Sequence, residues 1–136
     1  MKLVSVGSVA FDAIETPFGK TDKIVGGAGT FISLASSFFA KEQGLISVVG
    51  EDFPNETLTY LTSLGVNVDG VQIKKGEKTF FWSGKYHNDM NSRDTLVTEL
   101  NVLGTFDPIV PEVCQGADYL MLGNLSPQVQ LTVINR

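Results

Sequence analysis

The chain has a single cysteine, Cys114, and a single histidine, His87. One thiol excludes an internal disulfide, and with it the stapled scaffold of a small secreted domain. A zinc site would have to lean on carboxylates, which is not the usual ligand set. No apolar run approaches the roughly 20 residues that a membrane-spanning helix needs. The opening apolar run breaks at Gly7, too soon for the core of a secretory signal, so a cytoplasmic protein is expected. Basic residues are few and scattered: 10 Lys and Arg stand against 15 Asp and Glu, a net charge of -5. The densest basic group, Lys74, Lys75 and Lys78, reads as a solvated turn. Broad nucleic-acid binding, which needs clustered cations, is therefore not expected.

Against those absences, 43% of the 136 residues are hydrophobic and only 18% are charged, the balance of one globular domain with a real core. The 14 glycines imply many tight turns or close backbone approaches. Residues 3–9 form a buried-strand run, and 11–15 a second strand before the Thr16-Pro17-Phe18-Gly19 turn. Gly26-Gly27-Ala28-Gly29 opens a helix expected to reach about Lys41. Its apolar face would be Phe31, Leu34, Ala35 and Phe38, with Gly44 as the stop. Residues 45–49 make another buried strand. Residues 56–64 make a short helix with Leu58, Leu61 and Leu64 on one face, ended by Gly65.

This alternation predicts a parallel sheet with covering helices. The middle reads differently. Residues 71–75 and 79–86 flank Gly76-Glu77 as a hairpin, the second strand is rich in aromatics, and 95–100 adds a third strand. This block is an expected antiparallel flap. The α/β rhythm then resumes with a helical turn at 111–115, a buried strand at 117–122 and a helix from Pro127. A crossover helix normally returns to a further parallel strand, and none follows Arg136.

Several tempting motifs fail on spacing. Gly19-Lys20-Thr21 has Ile14 where a phosphate-binding loop needs glycine, and Gly27-Ala28-Gly29 has Ile32 where a dinucleotide fingerprint needs its third glycine. The 89–93 stretch has Arg93 in a calcium-ligand position. Three features remain. Asp12, just past the first strand, can accept hydrogen bonds from hydroxyls of a polyol, or is a turn aspartate. Gly26-Gly27 frees backbone N–H groups for a polar ligand, or is an ordinary helix entrance. Gly123-Asn124 ends a later strand at the same sheet edge as Asp12, or is a structural turn.

Taken in order, Gly7-Ser8 with Asp12, Gly26-Gly27-Ala28-Gly29, Val49-Gly50-Glu51-Asp52, the 79–100 flap and Gly123-Asn124-Leu125-Ser126-Pro127 resemble the amino-terminal half of the ribokinase-like (PfkB-type) carbohydrate kinase family. The resemblance implies a partial Rossmann-like α/β domain over 1–136, with lid segments near 11–25 and 71–100. It also implies ATP- and Mg2+-dependent transfer of phosphate to a hydroxyl of a sugar or nucleoside. Asp12, Gly26, Gly27 and Asn124 would hold the acceptor, with Phe31, Trp82 and Arg93 as further candidates. Lids of this type pair between subunits, which implies a homodimer. Two positions depart from the pattern: Phe31 stands where many sugar-specific members have Asn, and Leu125 where some have Glu, which turns the expectation away from ribose itself. The family's catalytic Asp, in a Gly-Ala-Gly-Asp sequence, has no counterpart here, because Thr30 follows Gly29. The expectation is thus a chain without catalytic residue, metal ligands or ATP pocket, inactive by itself. The alternative is a non-catalytic sugar-binding or dimerising module.

Overall fold

The computed structural model describes residues 2–136. The elements run β1 (Lys2–Val6), β2 (Ala10–Thr16), β3 (Gly19–Lys20), β4 (Ile24–Gly26), α1 (Ala28–Ser36), β5 (Glu42–Gly50), α2 (Asn55–Ser63) and β6 (Val66–Lys74). They continue with β7 (Phe81–Tyr86), β8 (Arg93–Glu99), β9 (Tyr119–Leu122) and α3 (Pro127–Asn135). Four strands form a parallel sheet in the order β6-β5-β1-β9. The others form a second sheet, β3-β2-β7-β8, with β4 on β2.

Strand alternation explains why β1 and β5 read as continuous apolar runs: both faces are covered. Val4, Val6, Ile46 and Val48 point to one side, where Val102, Phe106, Cys114 and Val133 close the core. Leu45 and Val49 point to the other, against Phe53, Leu58, Leu61, Val66 and Val71. Leu58 and Leu61 are the buried stripe of α2, as their spacing predicts, and Gly65 ends that helix at φ +85°.

Four expectations are corrected. First, α1 ends at Ser36, and its buried residues are Gly29, Thr30 and Ser33. Of the expected apolar face, Leu34 packs partly buried against the core, whereas Phe31 and Phe38 are 59% and 85% exposed. The cause is close backbone approach. The Gly29 N–H donates to the Ser8 carbonyl at 2.8 Å, and a side chain on Gly7 would stand 2.7 Å from the Gly29 nitrogen. Only the small-residue face of α1 fits at that distance. Second, Gly44 lies inside β5, not at a helix end; a Cβ there would come 2.6 Å from the Cys114 Sγ.

Third, residues 71–75 and 79–86 are not a hairpin. Residues 71–74 finish β6 in the parallel sheet, while β7 belongs to the lid. The chain changes sheets through a tie that sequence reading missed. Buried Thr79 donates its N–H and hydroxyl to Asp52 Oδ1 at 2.8 and 2.7 Å, and its Oγ1 accepts from the Gly50 N–H at 3.0 Å. The lid is also mixed, since β2 and β7 run parallel and only the remaining pairs are antiparallel. Fourth, β9 is an edge strand and is not buried: Tyr119 is 60% exposed. No helix among the described residues is long and apolar enough to cross a membrane.

Candidate acceptor site beneath the lid

Asp12 lies mid-strand in β2, where the chain leaves the parallel sheet for the lid. Its β4 partner is Ile24, and Ala10 faces Gly26. With a period of 2, Ala10 and Asp12 project to the same side, so the Asp12 carboxylate leans over Gly26. A Cβ on Gly26 would fall 2.5 Å from the Asp12 Cγ. The glycine therefore makes room for the carboxylate. The next N–H, that of Gly27, is near enough to favour its charged form. Gly27 adopts φ +93°, and a Cβ there would stand 2.8 Å from the Ser8 carbonyl carbon. This position accepts only glycine, because both conformation and space forbid a side chain. Partial burial pushes the Asp12 carboxyl above the usual carboxylate range, and the Gly27 N–H offsets part of that rise.

Asn124 follows β9 and is tied to the end of β1. Its Oδ1 accepts from the Ser8 N–H at 3.1 Å, and its Nδ2 donates to the Ser8 Oγ at 2.9 Å. That same Oγ accepts from the Ala28 N–H at 3.2 Å, at the start of α1. Ser8 thus joins three segments, a role sequence reading did not give it. Its place beside Gly7 in the motif was the available signal. Gln130 of α3 holds the Asn124 loop from behind by donating to the Gly123 and Leu125 carbonyls at 2.8 and 2.9 Å.

The lid lies over this corner. Asp12 is in register with Trp82 on the adjacent parallel strand, so both project from one face. Phe80, Trp82, Gly84 and Tyr86 share that parity, and Arg93 pairs with Tyr86. Phe80, Trp82, Tyr86 and Arg93 line, with Asn124, an open hollow of about 350 Å³. The opposite face carries different chemistry. There the Lys23 ammonium sits 5.7 and 5.0 Å from the Phe11 and Phe81 ring centres, and Lys85 pairs with Glu15 at 2.8 Å. Phe11 also packs on core Phe53, with ring centres 5.5 Å apart, which seats the lid root on the body.

The candidate residues therefore fall into two adjoining groups. Asp12, Gly26 and Gly27 form one; Trp82, Arg93 and Asn124 line the other, and the Asp12–Trp82 register joins them. Phe31, exposed in the first turn of α1, does not line the hollow. A larger hollow of about 530 Å³ at the lid tip, between Glu15–Pro17 and Lys85–Asp89, contains none of these residues. No group of three His, Cys, Asp or Glu side chains converges among the described residues, so their donors do not fit a metal-binding set.

A parallel sheet with a glycine-lined corner at the carboxyl ends of its strands, roofed by a second β-sheet, defines a lidded α/β fold. Comparison with known proteins makes this specific. The chain is 32% identical over its whole length to the cytidine kinase of Thermococcus kodakarensis, of which it covers 48%. Its fold matches that of a nucleoside kinase of Methanocaldococcus jannaschii, an archaeal member of the ribokinase family. The TM-score is 0.75 and the identity 20%, over 98% of this chain and 48% of that one. The ribokinase of Cryptococcus neoformans in complex with ADP matches at TM-score 0.68 and 20% identity, over 98% of this chain and 44% of that one. No protein-family profile matches the chain. The chain is built on the ribokinase-family fold, as its motifs suggested, and spans about half the length of these kinases.

Proposed function

We propose that this chain is the acceptor-holding half of an ATP-dependent kinase that phosphorylates a hydroxyl of a nucleoside or sugar. The observation that carries this reading is the Asp12 carboxylate, half-buried over Gly26 and projecting from the lid face that also bears Trp82. An ionised carboxylate accepts hydrogen bonds only, and a sugar ring offers neighbouring hydroxyl donors. Partial burial makes such bonds stronger than in water, provided the carboxylate is paired. The lid then excludes water from the corner. The similarity to a cytidine kinase favours a nucleoside over a free sugar.

Phosphoryl transfer needs a positioned base, a metal and cationic stabilisation of the γ-phosphate. The sequence has no Gly-Ala-Gly-Asp element, and no metal-binding set converges among the described residues. On this reading the half described here holds the acceptor and not ATP or Mg2+, and it transfers no phosphate by itself. The test pairs two measurements on the purified chain. Amide chemical-shift mapping with a nucleoside should move Gly26, Gly27 and Trp82, and labelled ATP should give no phosphorylated product. Shifts confined to other regions, or turnover that disappears in Asp12→Ala, would refute the proposal.

A second reading rests on β8. This lid-edge strand is exposed at every position, with Leu96 54% and Val97 40% exposed. An open apolar edge invites pairing with another copy. On this reading the lid joins two chains, sedimentation gives a dimer, and Val97→Lys gives a monomer. A monomeric wild type at all concentrations would refute it.

A further inference from the structure

The lid's inner face has a feature that holding sugar hydroxyls does not require. Trp82, the chain's one tryptophan, lies along the sheet over Gly84: a Cβ on Gly84 would come 3.0 Å from the ring's Cζ3. The missing side chain lets the indole lie flat, with one face against the lid. Its ring nitrogen donates to the Thr95 hydroxyl on β8 at 3.3 Å, which fixes the ring's rotation. The Arg93 guanidinium stands over the ring, 5.8 Å from its centre, in a cation–π contact, and makes no ion pair among the described residues. Tyr86 and Phe80 complete the wall, and the Asn124 loop stands opposite.

An oriented aromatic plane beside an unpaired guanidinium suits a flat, π-rich ligand with carbonyl or ring-nitrogen acceptors. A simple sugar has neither a π face nor such acceptors. A nucleobase has both, because bases stack on aromatic and guanidinium planes and accept hydrogen bonds on their edges. The spacing agrees. Asp12 neighbours Trp82 in register, so a ligand with hydroxyls at Asp12 places its next ring along the lid toward Trp82 and Arg93.

We infer that Trp82 and Arg93 form a nucleobase platform that selects nucleosides over free sugars. This rests on the acceptor-site reading above. On binding, the Arg93 guanidinium moves off the indole, the base takes its place over the ring, and Arg93 turns its N–H donors toward the base's acceptors. Gly84 keeps the platform flat, and Thr95 keeps it from rotating.

Trp82 is its own probe. The chain is titrated with cytidine, uridine and ribose while tryptophan emission is followed, exciting at the red edge where nucleosides do not absorb. Calorimetry on the same samples reports binding independently of fluorescence. Both nucleosides should quench saturably, and ribose should bind more weakly with no quenching. Trp82→Leu should weaken nucleoside binding by about ten- to a hundredfold, the range expected for loss of one base stack. Arg93→Met, which leaves the indole in place, should weaken nucleosides several-fold and leave ribose unchanged. If ribose and nucleosides bind equally and Trp82 stays unquenched, the platform is wrong while the acceptor site stands. If no ligand binds by calorimetry, both fail.

Discussion

Gly26→Ala separates the fold from the site. The three atoms nearest to a Cβ at this position all belong to the Asp12 side chain, with Cγ at 2.5 Å and Cβ at 3.2 Å. Normal contact between such atoms is about 3.5 Å or more, so the carboxylate must swing away. Backbone is not the obstacle, and Gly26 is not among the positive-φ glycines, so alanine fits its conformation. Moving the carboxylate out relieves the burial that disfavours its charge, the crowding itself costs about 1–3 kcal/mol, and restricting the unfolded chain returns about 0.4–1 kcal/mol. The net loss of stability is therefore at most about 2–3 kcal/mol, and the variant folds. Acceptor binding loses the properly aimed carboxylate, which is worth about ten- to a hundredfold in Kd. Urea denaturation and calorimetric titration with a nucleoside measure the two effects separately. In an Asp12→Ala background, Gly26→Ala should weaken binding no further, because both changes remove the same group. Wild-type affinity in Gly26→Ala, or full additivity with Asp12→Ala, would refute the reasoning.

Other expected outcomes follow from the same packing. Leu61→Ala empties a fully buried position between α2 and β5 and should cost about 2–5 kcal/mol by urea denaturation, with m unchanged. Gly44→Ala should cost about 1–3 kcal/mol through its 2.6 Å approach to the Cys114 Sγ. Combined with Cys114→Ala, its effect should shrink by at least about 0.5 kcal/mol, and strict additivity would show that the contact is not the cause. The Asp12 carboxyl is pushed upward in the folded state, so the folded chain holds that proton more tightly than the unfolded chain. Its contribution to stability is therefore full below the ordinary carboxylate pKa and falls as pH rises through the folded value. Asp12→Asn should flatten that part of the stability–pH curve and leave the neutral-pH fold equally or more stable, while acceptor binding is lost.

Much of this arrangement was legible in the residues, and what was not has physical causes. The strand–helix–strand order, the Leu58–Leu61 stripe and the Gly65 stop follow from period and turn chemistry, which are local. The helix over 28–36 was legible, but of its expected apolar face only Leu34 packs on the core. Counting apolar side chains pointed to Phe31 and Phe38, while the Gly7–Gly29 backbone approach selected Gly29, Thr30 and Ser33. The apparent hairpin at Gly76 failed for a similar reason. Turn residues show that the chain bends, but whether two strands share a sheet depends on distant ties such as Thr79–Asp52. At the site, Asp12 and Gly27 could be named from their motifs. The Trp82 neighbourhood required the β2–β7 register, a pairing between segments about 70 residues apart that no local pattern encodes.

The most direct test is calorimetric titration of the purified chain with cytidine in the absence of ATP, beside Asp12→Ala and Asp12→Asn. The account predicts saturable binding at one site per chain, weakened by about tenfold or more in both variants, since either one removes the charged acceptor. Equal affinity in all three proteins, or no heat of binding with the folded wild type, would contradict it.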